Sequence, residues 1–204
     1  MEIEVKYRIV GALEASALER LETGPYRLLP GNDEQHHDEV LDTPTRALTR
    51  KRQALRLRRR GNDVTVTYKG PDTVSGGLHQ REEIEATFAD DALPKDYHEW
   101  SPEITRHIEP IVGSAPLAPL VEMDVHRVTW NILRESRLIA ELALDEGNIR
   151  AGGKTSSIHE LEIELKASGT RDDLDALDQL FSRQLPIQPE SRSKLERGLA
   201  LLQS

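Results

Sequence analysis

The stretch EIEVKYRIV, residues 2–10, decides the fold class because its residues alternate between two chemical types. Glu2, Glu4 and Lys6 share one parity, and the residues between them are apolar. Successive side chains of a strand point to opposite faces, so the stretch predicts a strand with one charged face and one apolar face. The spacing becomes helical over residues 11–23, which predicts a helix after the first strand.

The same alternation recurs along the chain, so much of the protein is predicted to be sheet. The later predicted strands cover residues 55–58, 64–69, 81–88, 121–133, 138–145 and 158–166. The sequence GND, residues 61–63, separates the first two of these strands and predicts a hairpin turn. Near the C-terminus, helices are predicted over residues 171–185, with Thr170 as N-cap, and over residues 190–202.

Residues 89–119 carry five of the eleven prolines and little alternation, which predicts a loop region. One short helix over residues 102–111 fits within this region. The region is interpreted either as a lid over a binding site or as a simple connection.

Composition restricts the class of protein. A length of 204 residues is that of one ordinary domain, so residues 1–204 are predicted to form a single domain. The absence of cysteine excludes disulfides and thiolate metal sites. The N-terminus lacks a secretory signal pattern and no apolar run is long enough for a membrane span, so a cytoplasmic protein without a membrane partner is expected. A net charge of −9 speaks against general nucleic-acid binding.

The distribution of charge over the predicted strands indicates a tunnel. A single alternating strand is ordinarily interpreted as part of a sheet with one solvated face. Here the charged faces gather Arg with Arg and Glu with Glu over many strands. If the sheet closes on itself, these faces line the interior and the apolar faces lie outside under the helices. Such a density of charge is tolerable only with counterions, and a polyphosphate with divalent cations such as Mg²⁺ matches it.

Short motifs in these strands resemble those of the CYTH superfamily, the triphosphate tunnel metalloenzymes. The first is Glu2-x-Glu4-x-Lys6, which looks like the ExExK signature of that family. The others follow in the family's order: LRLR (residues 55–58), TYK (67–69), RxExE (81–85), RxxW (127–130), LDEG (144–147), ELEIELK (160–166) and SKxxRG (193–198). The sequence SGGLHQRE, residues 75–82, resembles most closely the bacterial inorganic triphosphatases, whose CYTH domain is often followed by a CHAD domain.

The resemblance implies an α+β fold built on a closed, eight-stranded antiparallel β-barrel with helices packed on the outside. It also implies roles for the charged residues of the tunnel. The cations that would bind phosphate are Lys6, Arg56, Arg58, Lys69, Arg81, Arg127 and Lys194. The carboxylates that would bind Mg²⁺ or Mn²⁺ are Glu2, Glu4, Glu83, Asp145, Glu162 and Glu164. Catalytic roles would fall to Glu4, Lys69 and Lys194.

Three other features have simpler interpretations. The sequence HHD, residues 36–38, looks like a metal patch, but a histidine pair in a loop is more often solvated. The sequence GGKT, residues 152–155, lacks the spacing of a phosphate loop and is predicted to be a turn. The family often has Tyr-Tyr-Asp-Thr after the first helix, and VLDT at residues 40–43 replaces it here, so the aromatic pair is missing.

By this resemblance, the function expected first is metal-dependent hydrolysis of inorganic triphosphate (tripolyphosphate) to pyrophosphate and phosphate by in-line attack of water. The alternatives are a class IV adenylyl cyclase or a thiamine triphosphatase, which share the tunnel but must seat an organic group. A non-catalytic polyphosphate-binding module is a further alternative, which could dispense with the metal carboxylates. Aromatic residues make up only 4% of the chain, and this favours a substrate without a base. A monomer or a homodimer is expected.

Overall fold

In the computed structural model, which describes residues 1–203, eleven strands form one antiparallel sheet. The strands are β1 (Glu2–Ile9), β2 (Tyr26–Asp42), β3 (Ala54–Arg60), β4 (Asp63–Lys69), β5 (Thr73–Ser75), β6 (Leu78–Arg81), β7 (Glu83–Ala89), β8 (Ala118–Arg134), β9 (Arg137–Ala151), β10 (Lys154–Leu165) and β11 (Ile187–Pro189). The helices are α1 (Ala15–Leu18), α2 (Ala47–Arg50), α3 (Pro102–Val112), α4 (Arg171–Gln184) and α5 (Lys194–Leu201). None of the helices within residues 1–203 has the length and apolarity needed to cross a bilayer.

The strand order explains how the sheet forms a tunnel. The order is β5-β6-β1-β10-β9-β8-β2-β3-β4-β7, with β11 beside β1. The strands β6 and β7 therefore lie toward opposite ends of the order, yet β6 ends at Arg81 and β7 begins at Glu83. Because only Glu82 joins them, the sheet must curl until its two ends meet. Eight main strands complete the circuit, β1, β2, β3, β4, β7, β8, β9 and β10, and the predicted α+β fold is confirmed.

Helices cover the outer, apolar face of the sheet. Ile104 and Ile108 of α3 are fully buried in a cluster with Leu55 and Val66 of the outer faces of β3 and β4. Helix α4 is buried in the same way against the outer faces of β1, β9 and β10. Burial of each large apolar side chain contributes about 1.5–3 kcal/mol, so these contacts fix the apolar parity outward. The region of residues 89–119 thus covers the outside of the sheet and connects β7 to β8, and the interpretation as a lid is wrong.

Helix α5 differs from the others because it packs against inward-facing residues at one end of the tunnel. Gly198 lies so close to β8 and β9 that a Cβ at this position would be 2.5 Å from Cγ1 of Val121 and 3.1 Å from Ile149. Ser193 caps the helix in a capping box with Glu196. The first residue of the helix, Lys194, is thereby placed at the edge of the tunnel.

Several predicted elements have different bounds in the structure. The helix predicted over residues 11–23 shrinks to the four residues of α1, whose N-cap position makes no side-chain hydrogen bond. The strand predicted over residues 81–88 is divided between β6 and β7. The last helix begins at Lys194, not at residue 190, because Ser193 is its N-cap. The predicted turns at residues 61–63 and 152–155 are confirmed between β3 and β4 and between β9 and β10.

The long strand β2 is absent from the sequence prediction. Pro30 and Gly31 interrupt its alternation, and the pairing of β2 with β8 shifts register between Pro30 and Asp33. The interpretation of residues 36–38 as a loop is therefore wrong. Because they lie in a strand, the buried His36 and the more exposed His37 point to opposite faces of the sheet and cannot share a metal ion.

Candidate active site

The inward faces of the strands enclose a cavity of about 560 Å³. Every residue predicted to bind phosphate lines this cavity, as does every predicted metal ligand except Asp145. These residues come from seven strands and from α5, and they lie together because the polar parity of each strand faces inward.

Asp145 lies behind the cavity wall and anchors two of the cations. It is fully buried, and its two carboxylate oxygens accept hydrogen bonds of 2.6 Å from Nε and Nη2 of Arg127. Its Oδ2 also lies 2.9 Å from Nζ of Lys194. Burial raises the pKa of Asp145, but Arg127 and Lys194 outweigh it and lower the pKa below its usual value. These contacts occupy the carboxylate, so Asp145 fits a role in positioning Arg127 better than a role in binding metal.

Asp38 has a corresponding place on the opposite wall, although the sequence suggested it only as part of the metal patch at residues 36–38. Its carboxylate accepts two hydrogen bonds of 2.8 Å from Nε and Nη2 of Arg58, and Nη1 of Arg56 lies 3.8 Å away. Burial raises the pKa of Asp38, and the two arginines lower it by more, so it stays ionised. The signal that could have found it is its inward parity opposite Arg58 in register, which required the strand assignment of β2.

A third group of charges lies where the two ends of the sheet meet. Nζ of Lys69 is 3.0 Å from a carboxylate oxygen of Glu2 and 3.0 Å from one of Glu83. Nε of Arg81 donates to the other oxygen of Glu2 at 2.5 Å. Burial raises the pKa of Glu2, but Lys69 and Arg81 lower it well below its usual value. The pKa of Glu83 is raised by burial, with Glu2 adding to the effect against the attraction of Lys69.

Lys194 and Lys6 join the remaining carboxylates. Nζ of Lys194 lies 2.7 Å from oxygens of Glu160 and Glu162, and Nζ of Lys6 lies 3.0 Å from Glu4. Burial lowers the pKa of Lys194, but Asp145 and Glu162 raise it by more, so the amine is charged. The ring of charges around the cavity is thus completed from α5.

Glu4 and Glu164 are the carboxylates best suited to a metal ion. They face each other in register on β1 and β10, and burial raises the pKa of Glu164, with Glu4 and Glu2 adding to this against Lys166. Carboxylates that repel each other in this way fit a shared hard cation. Within residues 1–203, however, no three His, Asp or Glu side chains are already gathered as a metal site, and Glu4 and Glu164 are paired with Lys6 and Lys166.

His79 is a further buried residue of this region that the sequence did not single out. Its Nδ1 lies 2.5 Å from Oδ2 of Asp72, and its Nε2 donates to the backbone carbonyl of Glu190 at 3.1 Å. The backbone amide of Glu190 in turn donates to the carbonyl of Lys6 at 2.9 Å. The imidazole therefore ties β6 to the segment that leads into α5, and thereby positions Arg81 and Lys194 relative to each other.

Comparison with known proteins assigns this arrangement to a family. The family model described as the CYTH domain matches residues 1–199. This chain belongs to the CYTH domain family. Among curated proteins, this CYTH protein is similar to the inorganic triphosphatase of Haemophilus influenzae, with 30% identity over 164 residues. The match covers 78% of this chain and 44% of that relative, so the CYTH protein spans less than half of the relative's length.

Solved structures share the fold of this CYTH protein. HpAC1 from Hippeastrum, described as a candidate adenylyl cyclase with a dominant triphosphatase activity, has a TM-score of 0.69 and 20% identity, covering 98% of this chain and 96% of that one. The PH1819 protein of Pyrococcus horikoshii has a TM-score of 0.59 and 20% identity over the whole of both chains. At these identities, the likeness shows the fold alone.

Proposed function

We propose that this CYTH protein hydrolyses inorganic triphosphate (tripolyphosphate) to pyrophosphate and phosphate, with Mg²⁺ or Mn²⁺. The observation that carries the proposal is the composition of the cavity. Arginine and lysine from opposite walls face carboxylates of β1, β7 and β10, and no aromatic side chain within residues 1–203 lines the cavity. A linear, highly charged anion without an organic group matches such a lining.

The cations have distinct parts in binding the substrate. Arginine offers a planar fork that can bind two phosphate oxygens, and lysine offers a point charge. Arg58 and Arg127 are each held by a buried carboxylate, so their forks are oriented before the substrate arrives. The substrate would replace carboxylates as the partners of the other proposed phosphate ligands. These are Lys6, Arg56, Lys69, Arg81 and Lys194.

The donor chemistry of the cavity fits the proposed metal. Glu4 and Glu164 would hold it, with Glu2, Glu83 and Glu162 within the same cavity lining. A bound Mg²⁺ or Mn²⁺ would neutralise charge on the phosphate oxygens and orient the triphosphate. The carboxylates of the cavity now pair with Lys or Arg. The substrate's phosphates would bind these cations instead and leave the carboxylates available for the metal ion. Binding of the triphosphate would thus favour binding of the metal.

The chain's own residues supply most of the chemistry in this proposal. Phosphoryl transfer depends chiefly on positioning and on stabilising charge. Lys69 and Lys194 would stabilise the charge that develops on the transferred and leaving phosphates. Glu4 would accept a hydrogen bond from the attacking water and hold it in line with the bond that breaks. The low exposure of these side chains strengthens the electrostatic effects.

Two observations favour tripolyphosphate over triphosphates that carry an organic group. A curated relative that the chain matches is named an inorganic triphosphatase. An adenylyl cyclase or a thiamine triphosphatase must also seat a ring, for which stacking on an aromatic side chain is the usual solution. At the position of the family's aromatic pair, this chain instead has Val40, which packs with apolar residues beside α5.

The test compares phosphate release from tripolyphosphate, ATP and thiamine triphosphate, each with Mg²⁺, with Mn²⁺ and with EDTA. The Glu4→Gln/Glu164→Gln variant removes the proposed metal ligands. As a matched control, Glu122→Gln/Glu146→Gln removes the half-buried carboxylate of Glu122 on β8 and the exposed one of Glu146 on β9, neither of which lines the cavity. Metal-dependent release from tripolyphosphate, lost only in the first variant, supports the proposal. Formation of cyclic AMP from ATP would instead indicate an adenylyl cyclase. Binding without turnover would indicate a polyphosphate-binding module.

A further inference from the structure

Four cations within seven residues form a basic segment around α2, comprising Arg46, Arg50, Lys51 and Arg52. Arg50, Lys51 and Arg52 are exposed and Arg46 is half-buried. Within residues 1–203, no carboxylate lies within ion-pair distance of any of the four. Other cations without such a partner, for example Arg20, are scattered singly. A concentrated positive charge without compensation is unexpected in a chain whose net charge is −9.

The backbone of the basic segment is firmly held. The buried carboxylate of Asp42 accepts hydrogen bonds from the backbone amides of Thr43, Leu48 and Thr49 at 2.7, 3.0 and 2.9 Å. Leu48 is fully buried among the residues under α3. Arg46 and Arg52, which flank the helix, have φ of 57° and 58°, in the left-handed region that costs free energy for arginine. The fold therefore fixes these cations at a strained part of the backbone.

The basic segment is continuous with the tunnel. Thr49, Arg52 and Gln53 line the cavity, and because Arg52 is exposed, the cavity reaches the surface beside it. Nη2 of Arg52 donates to the backbone carbonyl of Asp72 at 2.8 Å, which leaves its charge uncompensated. The carboxylate of Asp72 lines the same edge but is engaged by His79 and by the amide of Gln80.

Cations elsewhere along the cavity are neutralised by carboxylates. Arg60 lies 3.2 Å from Glu34, and Lys166 lies 2.9 Å from Glu164 and 3.5 Å from Glu141. The cations in the ring of charges around the cavity are paired with carboxylates in the same way. An anion that extends beyond the tunnel therefore finds uncompensated positive charge at the edge beside α2.

We propose that the basic segment binds the distal phosphates of a linear polyphosphate longer than three units, while one end of that chain occupies the tunnel. This proposal rests on the proposed function, because it takes the tunnel to be a phosphate site. Each unpaired exposed cation adds little alone, so several are needed for a measurable gain. Arg46, Arg50 and Lys51 lie outside the lining of the cavity that would hold tripolyphosphate, and chain length is therefore the property that these three cations would recognise.

The experiment measures dissociation constants by calorimetry, in EDTA and at low salt, for tripolyphosphate and for a linear polyphosphate several times longer. The variant is Arg46→Asn/Arg50→Gln/Lys51→Gln, with Asn chosen because it tolerates a positive φ. These positions lie outside the cavity lining, and a thermal unfolding curve checks the fold. A matched control, Arg20→Gln/Arg27→Gln/Arg171→Gln, removes the same charge from exposed positions elsewhere.

We expect the variant to weaken binding of the long chain about tenfold, with tripolyphosphate and the control changed by less than about twofold. An equal loss for both ligands, an equal loss in the control, or no loss would overturn the proposal. Failure of the tunnel as a phosphate site, on which the proposed function depends, has a different signature. In that case tripolyphosphate does not bind the wild-type tunnel, with Mg²⁺ or in EDTA, and Arg58→Ala changes neither dissociation constant.

Discussion

Arg58 and Arg59 are neighbours in the chain and lie on opposite faces of β3. Arg58 points into the tunnel and forms a bidentate pair with the buried Asp38, whereas Arg59 pairs with Glu39 on the outside. The alternation of the strand thus gives two adjacent arginines different parts. One fits phosphate binding, and the other fits an ordinary surface ion pair.

For this reason we expect Arg58→Ala to lower kcat/KM for tripolyphosphate about 10²–10³-fold, as for the loss of one oriented donor. Arg59→Ala is the matched control and is expected to stay within about threefold of wild type. Because Arg58→Ala leaves the buried Asp38 with only the more distant Arg56, 3.8 Å away, the double variant Arg58→Ala/Asp38→Asn separates loss of binding from loss of stability. Activity near that of wild type in the double variant would remove Arg58 from the site.

His36 is a buried residue whose pKa gives the protein a defined sensitivity to acid. Within residues 1–203, neither of its ring nitrogens has a hydrogen-bond partner. Burial and the nearby Arg58 lower its pKa from 6.5 to about 3. The unfolded chain therefore takes up a proton near pH 6.5 and the folded chain only near pH 3, so stability falls as the pH drops through this window.

We predict that wild type loses about 2 kcal/mol of stability from this group between pH 7 and pH 5. His36→Leu should abolish that part of the loss, because leucine fills similar space and does not titrate. The measurement is urea unfolding at both pH values, with His37→Leu, on the outer face, as the control. If the two variants lose the same stability on acidification, His36 is not the group responsible.

At the scale of elements, α5 joins a stabilising role to a role in the site. Its Gly198 makes the close approach to Val121 that seats the helix, and its first residue, Lys194, reaches Glu160 and Glu162. Any displacement of the helix therefore moves a cation of the cavity wall.

Gly198→Val should push α5 away from β8, destabilise the fold by about 1–3 kcal/mol and lower kcat/KM at least about tenfold. Ala200→Val places the same side chain at an exposed position of the same helix and should change kcat/KM little. Denaturant unfolding and phosphate release check the two effects separately. Full activity in a folded Gly198→Val protein would show that the seating of α5 does not control Lys194.

The whole molecule concentrates ionised groups inside and places apolar side chains under the helices outside. Its stability must therefore depend on the protonation of the inner carboxylates. Burial raises their pKa values, but the neighbouring Lys and Arg lower those of Glu2, Asp38, Asp145 and Glu162 below the usual values of 4.5 for Glu and 3.8 for Asp. Carboxylates of this kind stabilise the fold above those values and lose the effect progressively as the pH falls from them to the lowered pKa values of the folded protein.

Unfolding at about pH 6 and about pH 3 should show a large loss of stability at the lower pH, even in the His36→Leu background. Glu83 and Glu164, whose pKa values are raised, act in the opposite sense and offset part of the loss. Tripolyphosphate at a free concentration of 100 times its dissociation constant should add about 2.7 kcal/mol to the free energy of unfolding at neutral pH. Equal stability at both pH values would contradict the inner network of ion pairs.

The sequence by itself determined the strands with clear alternation, the capped helix α4 and the inward parity of the charged residues. These are local properties, since a period of two fixes which side chains share a face. This is why the predicted phosphate ligands on the strands all line one cavity. Strand β2 escaped prediction because Pro30 and Gly31 interrupt its period, and the pairing of Asp38 with Arg58 was missed for the same reason.

Only the tertiary structure decided which residues pair across the tunnel. The meeting of β6 with β7, the placing of Lys194 by α5 and the pairing of Asp145 with Arg127 join residues far apart in the chain. Local patterns carry no information on such contacts, because they depend on how the sheet curls and on which helix blocks its end. Those contacts distinguish Glu4 and Glu164, the proposed metal ligands, from Asp38 and Asp145, which hold arginines. The uncompensated charge beside α2 follows from the same tertiary arrangement.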